Sequence, residues 1–284
     1  MRKVRIWILL FLMLNMLAFL TDSDAQTRDD SLAIVSAQWE AEEAERGLKS
    51  MCFSFASLYQ GPQYVSIVEV GRKGKHRAGI AFSGLMKPLS RHALEYNAKA
   101  AINGSFYDMQ TGRSVAFLKH DGEVVDSTKT DDSNSNITGA VAVRKGKLKL
   151  LSWSRAIERG YRKKHGSVLA SGPLLLEGGR FANWSSCNES LVNMKHPRSA
   201  IAITKDGRIL LIAVDGRAEG HAAGMTIPEL AHFIRILGGK TALNLDGGGS
   251  TTLYLNHEVL NHPCDNHQFD HQGERNIPNI IYFN

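Results

Sequence analysis

Three times in this 284-residue chain, two short apolar runs flank a polar turn that contains glycine. Ala116-Phe117-Leu118 and Glu123-Val124-Val125 enclose His120-Asp121-Gly122. Ala140 to Val143 and Leu148 to Leu151 enclose Arg144-Lys145-Gly146-Lys147. Ala200 to Thr204 and Ile209 to Val214 enclose Lys205-Asp206-Gly207-Arg208. Tight hairpins need positive φ in the turn, which glycine adopts without steric cost. Such turns make the flanking runs antiparallel neighbours in a sheet. Tyr64 to Val70, Ala78 to Phe82, Ala100 to Ile102 and Ile277 to Phe283 share the same apolar texture. The pattern predicts an α+β fold, a single domain with a mainly antiparallel, mixed β-sheet and a few packed helices.

Two helices are legible. From Asp30 to about Lys49, Leu32, Val35 and Trp39 form one apolar stripe behind the capping residues Asp29, Asp30 and Ser31. Thr226-Ile227-Pro228-Glu229 is a capping box, in which the threonine hydroxyl and the glutamate satisfy orphan amides. Leu230, Phe233, Ile234 and Leu237 then share a face, and Gly238-Gly239 ends the helix. The strand Thr241 to Leu245 follows, then a glycine loop, then a strand from Thr251 to Leu255.

The amino terminus has the three parts of a secretory signal: basic residues at Arg2, Lys3 and Arg5, an apolar run from Ile6 to Leu20, and small Ala25 after a polar stretch. The run is shorter than the roughly 20 apolar residues a spanning helix needs. The expected organisation is a signal peptide over 1–25, a helical lead-in over 26–62 and a catalytic domain over 63–284. The mature protein is then exported, to a periplasm or the cell exterior, with no permanent membrane anchor.

The formal charge is +6, and loss of the first 25 residues leaves about +5. This mild basic excess favours an anionic partner. Without a lysine and arginine tract interleaved with aromatics, nucleic acid is not the expected one. Basic clusters such as Arg162-Lys163-Lys164 read as solvated turns. Three cysteines are too few for a disulfide scaffold and match no zinc spacing. Export permits one bridge, for which Cys187 and Cys264 in polar loops are the better pair, leaving Cys52 as a buried thiol.

Asp246-Gly247-Gly248-Gly249-Ser250-Thr251 is the most informative stretch. Three glycines between two apolar strands forgo side chains where a sheet would reward them, as expected where backbone bends sharply or approaches a ligand. Bare amides there can cradle an anion, Ser250 adds a hydroxyl, and Asp246 projects a carboxylate from a strand end. An ordinary glycine-rich hairpin is the alternative. The loop lacks the Gly-Lys-Ser/Thr of a nucleotide-binding P-loop. Val214-Asp215-Gly216-Arg217 ends another strand, and Arg198 at a strand mouth suits phosphate or carboxylate. His196 and His221 lie beside these motifs, where loop histidines are more often surface groups than catalysts. Gly273-Glu274-Arg275-Asn276 leads into the last strand.

Taken in order, Asn-Gly-x-Phe-Tyr at Asn103 to Tyr107, Ser171-Gly172-Pro173, Pro197-Arg198-Ser199, Asp215-Gly216-Arg217, the segment Thr226 to Leu255 and Glu274-Arg275 resemble the phosphodiester glycosidase family. The resemblance runs from about Tyr64 to Asn284 and is closest to the compact secreted members. Ser105 stands where the family often has a second glycine, and Cys264 where relatives often carry serine. The resemblance implies hydrolysis of a sugar-1-phosphodiester, of the N-acetylglucosamine-1-phosphate type, at the anomeric C–O bond. Free sugar and a phosphomonoester are the products.

Phosphate is a good leaving group, so the site must above all hold its charge. Arg198, Arg217, Arg275 and the amides of Gly247, Gly248 and Gly249 are the candidates. Asp246 and Asp215 are candidates for water activation or oxocarbenium stabilisation, with Glu274 as an alternative acid. Asn103 and Ser250 would orient sugar hydroxyls or phosphate. No cofactor is required; a divalent cation on Asp215 and Asp246 is compatible with the motifs but not indicated by them. The competing readings are a P–O cleaving phosphodiesterase, which would want two metal ions, and an exported glycan-binding module without turnover.

Overall fold

The computed structural model describes residues 27–72, 74–131, 135–161 and 166–284. The signal segment and the Arg162-Lys163-Lys164 cluster lie outside the described residues. Every strand pair is antiparallel, in three sheets.

The largest sheet has eight strands in the order Glu40–Glu45, Leu48–Leu58, Gly61–Val70, Ile209–Val214, Arg198–Thr204, Gly239–Asn244, Leu174–Glu177 and Arg180–Phe181. The second has five, with Gly139–Arg144 and Lys147–Ser152 at one end and Leu118–His120 and Glu123–Asp126 at the other; Ser167–Ser171 joins them. The third holds Ala78–Lys87, Ile277–Phe283, Ala100–Asn103, Leu253–Leu255 and Glu258–Val259. All three hairpins read from the sequence form. At two of them both turn residues have positive φ: Asp121 at 46° with Gly122 at 98°, and Lys145 at 53° with Gly146 at 75°.

The central strands of the large sheet, Arg198–Thr204 and Ile209–Val214, read as nearly unbroken apolar runs because both faces are covered. In Ile209–Val214, Leu211 and Ala213 enter a core shared by all three sheets, with Val68, Val141, Leu169, Leu243 and Ile281. Their neighbours Leu210, Ile212 and Val214 enter a second core under the helix Ile227–Ile236. Period-two alternation splits one strand between two interiors. The helix buries Leu230, Phe233 and Ile234, and Thr226 with Glu229 makes the capping box the sequence predicts.

The amino-terminal segment departs from expectation. Its helix, Arg28–Ser36, ends well before Lys49 and turns Ile34 inward, leaving Leu32 55% and Val35 73% exposed. Trp39 instead packs on Phe53, Phe55 and Phe233, and Glu40–Glu45 pairs along the edge of the large sheet. An aromatic cluster formed with residues distant in sequence overrides the local helical pattern. The lead-in is therefore continuous with the main sheet. The cysteines also differ: Cys52, Cys187 and Cys264 are all free thiols, with Cys187 near the Ser135 carbonyl rather than near Cys264. Among the described residues no helix is long and apolar enough to cross a membrane.

Candidate active site

The glycine loop is the point where the chain crosses from the large sheet to the third. Asn244 is still paired with Ala200 in the large sheet. Then Leu245 donates to the Ser199 carbonyl, Asp246 to the Gly104 carbonyl and Gly248 to the Pro197 carbonyl. By Leu253 the chain is paired with Ile102. Side chains cannot fit along this crossing. A Cβ on Gly247 would lie 2.6 Å from the Pro197 carbonyl oxygen, and one on Gly249 would overlap Arg275 Nη2 and Asp265 Oδ1. Gly248, at φ 61°, opens the short 3₁₀ turn Gly248–Ser250.

Over the loop lies a cleft of about 280 Å³, walled by Asp246 and the three glycines with Arg217, Arg275, His196 and Phe106. Asp246 keeps a solvent-facing edge, yet burial pushes its carboxyl up to about 6. The Ser250 hydroxyl, the charge of Arg275 and the Gly247 amide oppose that rise. Ser250 is itself buried beside the carboxylate, without a well-formed hydrogen bond. Arg275 is held from behind by Asp265, through Nε at 3.0 Å and Nη2 at 2.5 Å. That bond raises the arginine further and holds the Asp265 carboxyl below its usual range.

Arg217 packs against the loop, its Nη2 3.1 Å from where a Gly248 Cβ would be. Its backbone is left-handed, φ 60°, which costs an arginine roughly 1–2 kcal/mol. Strain of this kind collects at functional sites. His196 is held below the usual imidazole range by burial and by Arg198 and Arg217, so it faces the cleft as a neutral ring.

Four sequence candidates have other work. Arg198 is fully buried, its Nε donating to the Met225 carbonyl at 2.7 Å and its Nη2 to those of Leu191 and Met194 at 2.8 Å. Burial lowers it to about 10. It fastens the helix Glu189–Asn193 to the sheet, and it is also among the residues that line the cleft. Glu274 accepts from the amide and hydroxyl of Ser90, at 2.9 and 2.5 Å, at the start of the helix Leu89–Glu95, so it is a cap and not an acid of this cleft. Asn103 is buried; its Nδ2 donates to the Asp246 carbonyl and its Oδ1 accepts from Ser199 Oγ and the Thr252 amide. It positions the Asp246 backbone. Ser105 likewise turns away, donating to the Ala170 carbonyl.

Asp215 is the fourth. It is 1% exposed, and its two oxygens accept from His262 Nδ1 at 2.7 Å, the His262 amide and Asn261 Nδ2. Burial raises its carboxyl, opposed chiefly by the bond from His262. It cannot activate water in the first cleft, because it orients His262, which lines a neighbouring cleft with His221. Pairing the two residues, 47 positions apart, needed the fold. The expectation of a nest of loop amides is also trimmed. The amides of Gly248, Ser250 and Thr251 are bonded internally, and that of Gly247 serves Asp246. For phosphate this leaves Arg217, Arg275 and the Gly249 amide. Among the described residues no three His, Cys, Asp or Glu side chains are grouped to hold a metal ion.

The phosphodiester glycosidase family matches residues 96–284. The chain belongs to that family. It is 27% identical over 188 residues to the mouse N-acetylglucosamine-1-phosphodiester alpha-N-acetylglucosaminidase, a match covering 62% of this chain and 35% of that protein. The human enzyme of the same name is 27% identical over 186 residues, covering 61% and 35%. The chain thus spans about a third of the length of these relatives. Its fold is shared with the catalytic domain of the zebrafish enzyme of that name, described as auto-inhibited by its pro-peptide: TM-score 0.66, 20% identity, 86% of this chain and 87% of that one. A protein of Synechocystis is similar at TM-score 0.62 and 16% identity, covering 87% and 64%. The family is one of phosphodiester glycosidases, and the likeness to the solved structures is one of fold.

Proposed function

We propose that the chain hydrolyses the anomeric C–O bond of a sugar-1-phosphodiester, releasing free sugar and a phosphomonoester, with Asp246 as the reacting carboxylate. The observation that carries this is the pairing, in one cleft, of a carboxyl raised to about 6 with two arginines held against a side-chain-free loop. Asp246 is the only carboxylate among the residues lining the cleft. Most glycosidases need a second carboxyl to protonate the leaving oxygen. A phosphomonoester leaves without strong protonation if its charge is met, which Arg217 and Arg275 do. Above pH 6 the Asp246 carboxylate is ionised and can take a proton from water or face an oxocarbenium-like carbon. The reaction needs no cofactor, and a chelator should leave turnover unchanged.

The test is release of free sugar from methyl-phospho-N-acetylglucosamine in oxygen-18 water, with Asp246→Asn in parallel. Release by the parent alone, with label in the sugar, supports the proposal. Label in phosphate means P–O cleavage, and equal release by both proteins removes Asp246 from the chemistry. Binding without turnover would make the chain a glycan-binding module. Export is also proposed; a mature amino terminus near Gln26 in secreted material would support it.

A further inference from the structure

The cleft beside the proposed active site has no role in the reaction as written. It encloses about 260 Å³, and Arg217 is part of its wall as well as of the first cleft's. One guanidinium therefore separates the two spaces, lying against the glycine loop on one side and bonding the Cys264 thiol on the other. Arg217 makes no ion pair among the described residues, since the nearby Asp265 is taken by Arg275.

Across the cleft stands His262, whose orientation is fixed with unusual care. Its Nδ1 and its amide are bonded to buried Asp215. Its ring is clamped between Phe269, 3.8 Å away and nearly parallel, and His271, at 4.4 Å, with Tyr64 edge-on at 4.7 Å. His221 extends the column on the far face of Phe269. With Nδ1 tied to Asp215, the other ring nitrogen is the free one, and no protein group bonds it among the described residues. Burying a carboxylate to orient one imidazole costs stability, as is expected where the ring has a task. When Nε2 carries a proton, Asp215 balances the imidazolium charge and the N–H faces the cleft as a charged donor. Glu219 is the one acidic side chain on the lining, and it is exposed.

We propose that this second cleft is the aglycone subsite, and that it takes an anionic group, carboxylate or phosphate, between Arg217 and His262 Nε2. The inference rests on the proposed reaction. With the reacting phosphate on the first-cleft side of Arg217, the aglycone runs past the guanidinium into the second cleft. The preferred substrate is then a sugar-1-phosphodiester whose alcohol carries a second negative charge.

The test compares N-acetylglucosamine-1-phosphate esters of 2-carboxyethanol and of its neutral amide isostere. Each corresponding aglycone phosphate, 2-carboxyethyl phosphate or its amide, is also titrated calorimetrically into the full chain. A charge-assisted hydrogen bond corresponds to roughly tenfold or more. The parent protein should prefer the carboxylate by about that factor in kcat/KM and in Kd. His262→Gln, which can still donate to Asp215 but carries no charge, should cut both preferences severalfold, leaving the part that Arg217 supplies. Equal affinity of the parent for carboxylate and amide overturns the subsite, whether or not the variant folds. If neither ester is hydrolysed, the reaction falls and the calorimetry still decides the subsite. If both are hydrolysed equally and bound equally, the reaction stands and the subsite falls.

Discussion

Replacing Asp246 by asparagine should stabilise the protein at neutral pH while abolishing turnover. The carboxyl is raised from 3.8 to about 6 by burial in the cleft wall. In the unfolded chain it titrates near the ordinary value. Between these two values the folded state binds more protons than the unfolded state, so stability falls as pH rises through that window and is constant above it. Two units at about 1.36 kcal/mol each give about 3 kcal/mol, a ceiling because the carboxyl keeps a solvent edge. Asparagine removes this penalty, and its amide oxygen can still accept from Ser250 and Gly247.

The variant should thus be more stable than the parent by about 1–3 kcal/mol at pH 8, with the gain vanishing below about pH 4. In melting temperature this is roughly 2–6 °C for a chain of this size. Urea or thermal unfolding at about pH 4, 6 and 8 measures it, alongside sugar release. A variant less stable than the parent at pH 8, or a difference that ignores pH, would refute the reasoning that burial, uncompensated, raises this carboxyl. The parent's activity should correspondingly rise with pH through about 6.

Gly249→Ala places a methyl in overlap with Arg275 Nη2 and Asp265 Oδ1, forcing that pair aside, so melting should fall by a few degrees and turnover by on the order of 10²-fold, as for loss of one preorganised donor. Glu274→Ala removes the Ser90 cap and should cost about 0.5–2 kcal/mol in denaturant unfolding, with kcat/KM within a few-fold of the parent. Arg198→Ala strips three backbone carbonyls of a buried donor and should cost at least about 3 kcal/mol; a near-neutral effect in unfolding, with lost substrate affinity, would return Arg198 to the phosphate.

The sequence by itself determined the hairpins, the capped helix and the place of the glycine loop, because each is set by residues a few positions apart. Asp121-Gly122 and Lys145-Gly146 need positive φ, Thr226 reaches Glu229 within one turn, and three consecutive glycines mark a path no side chain can share. It also put Asp246, Arg217 and Arg275 among the candidates, and these three meet in the cleft. Only the tertiary structure decided what each charged side chain faces. Arg198 and Glu274 sit in motifs as telling as those of Arg217 and Asp246, yet one meets Leu191 and Met194 and the other meets Ser90, 184 residues away in sequence. Asp215 and His262 are 47 residues apart and become one unit only when a strand end and a distant loop pack together. Local patterns fix backbone conformation through short-range sterics. The partner of a charge is fixed by packing between segments that the chain order leaves far apart.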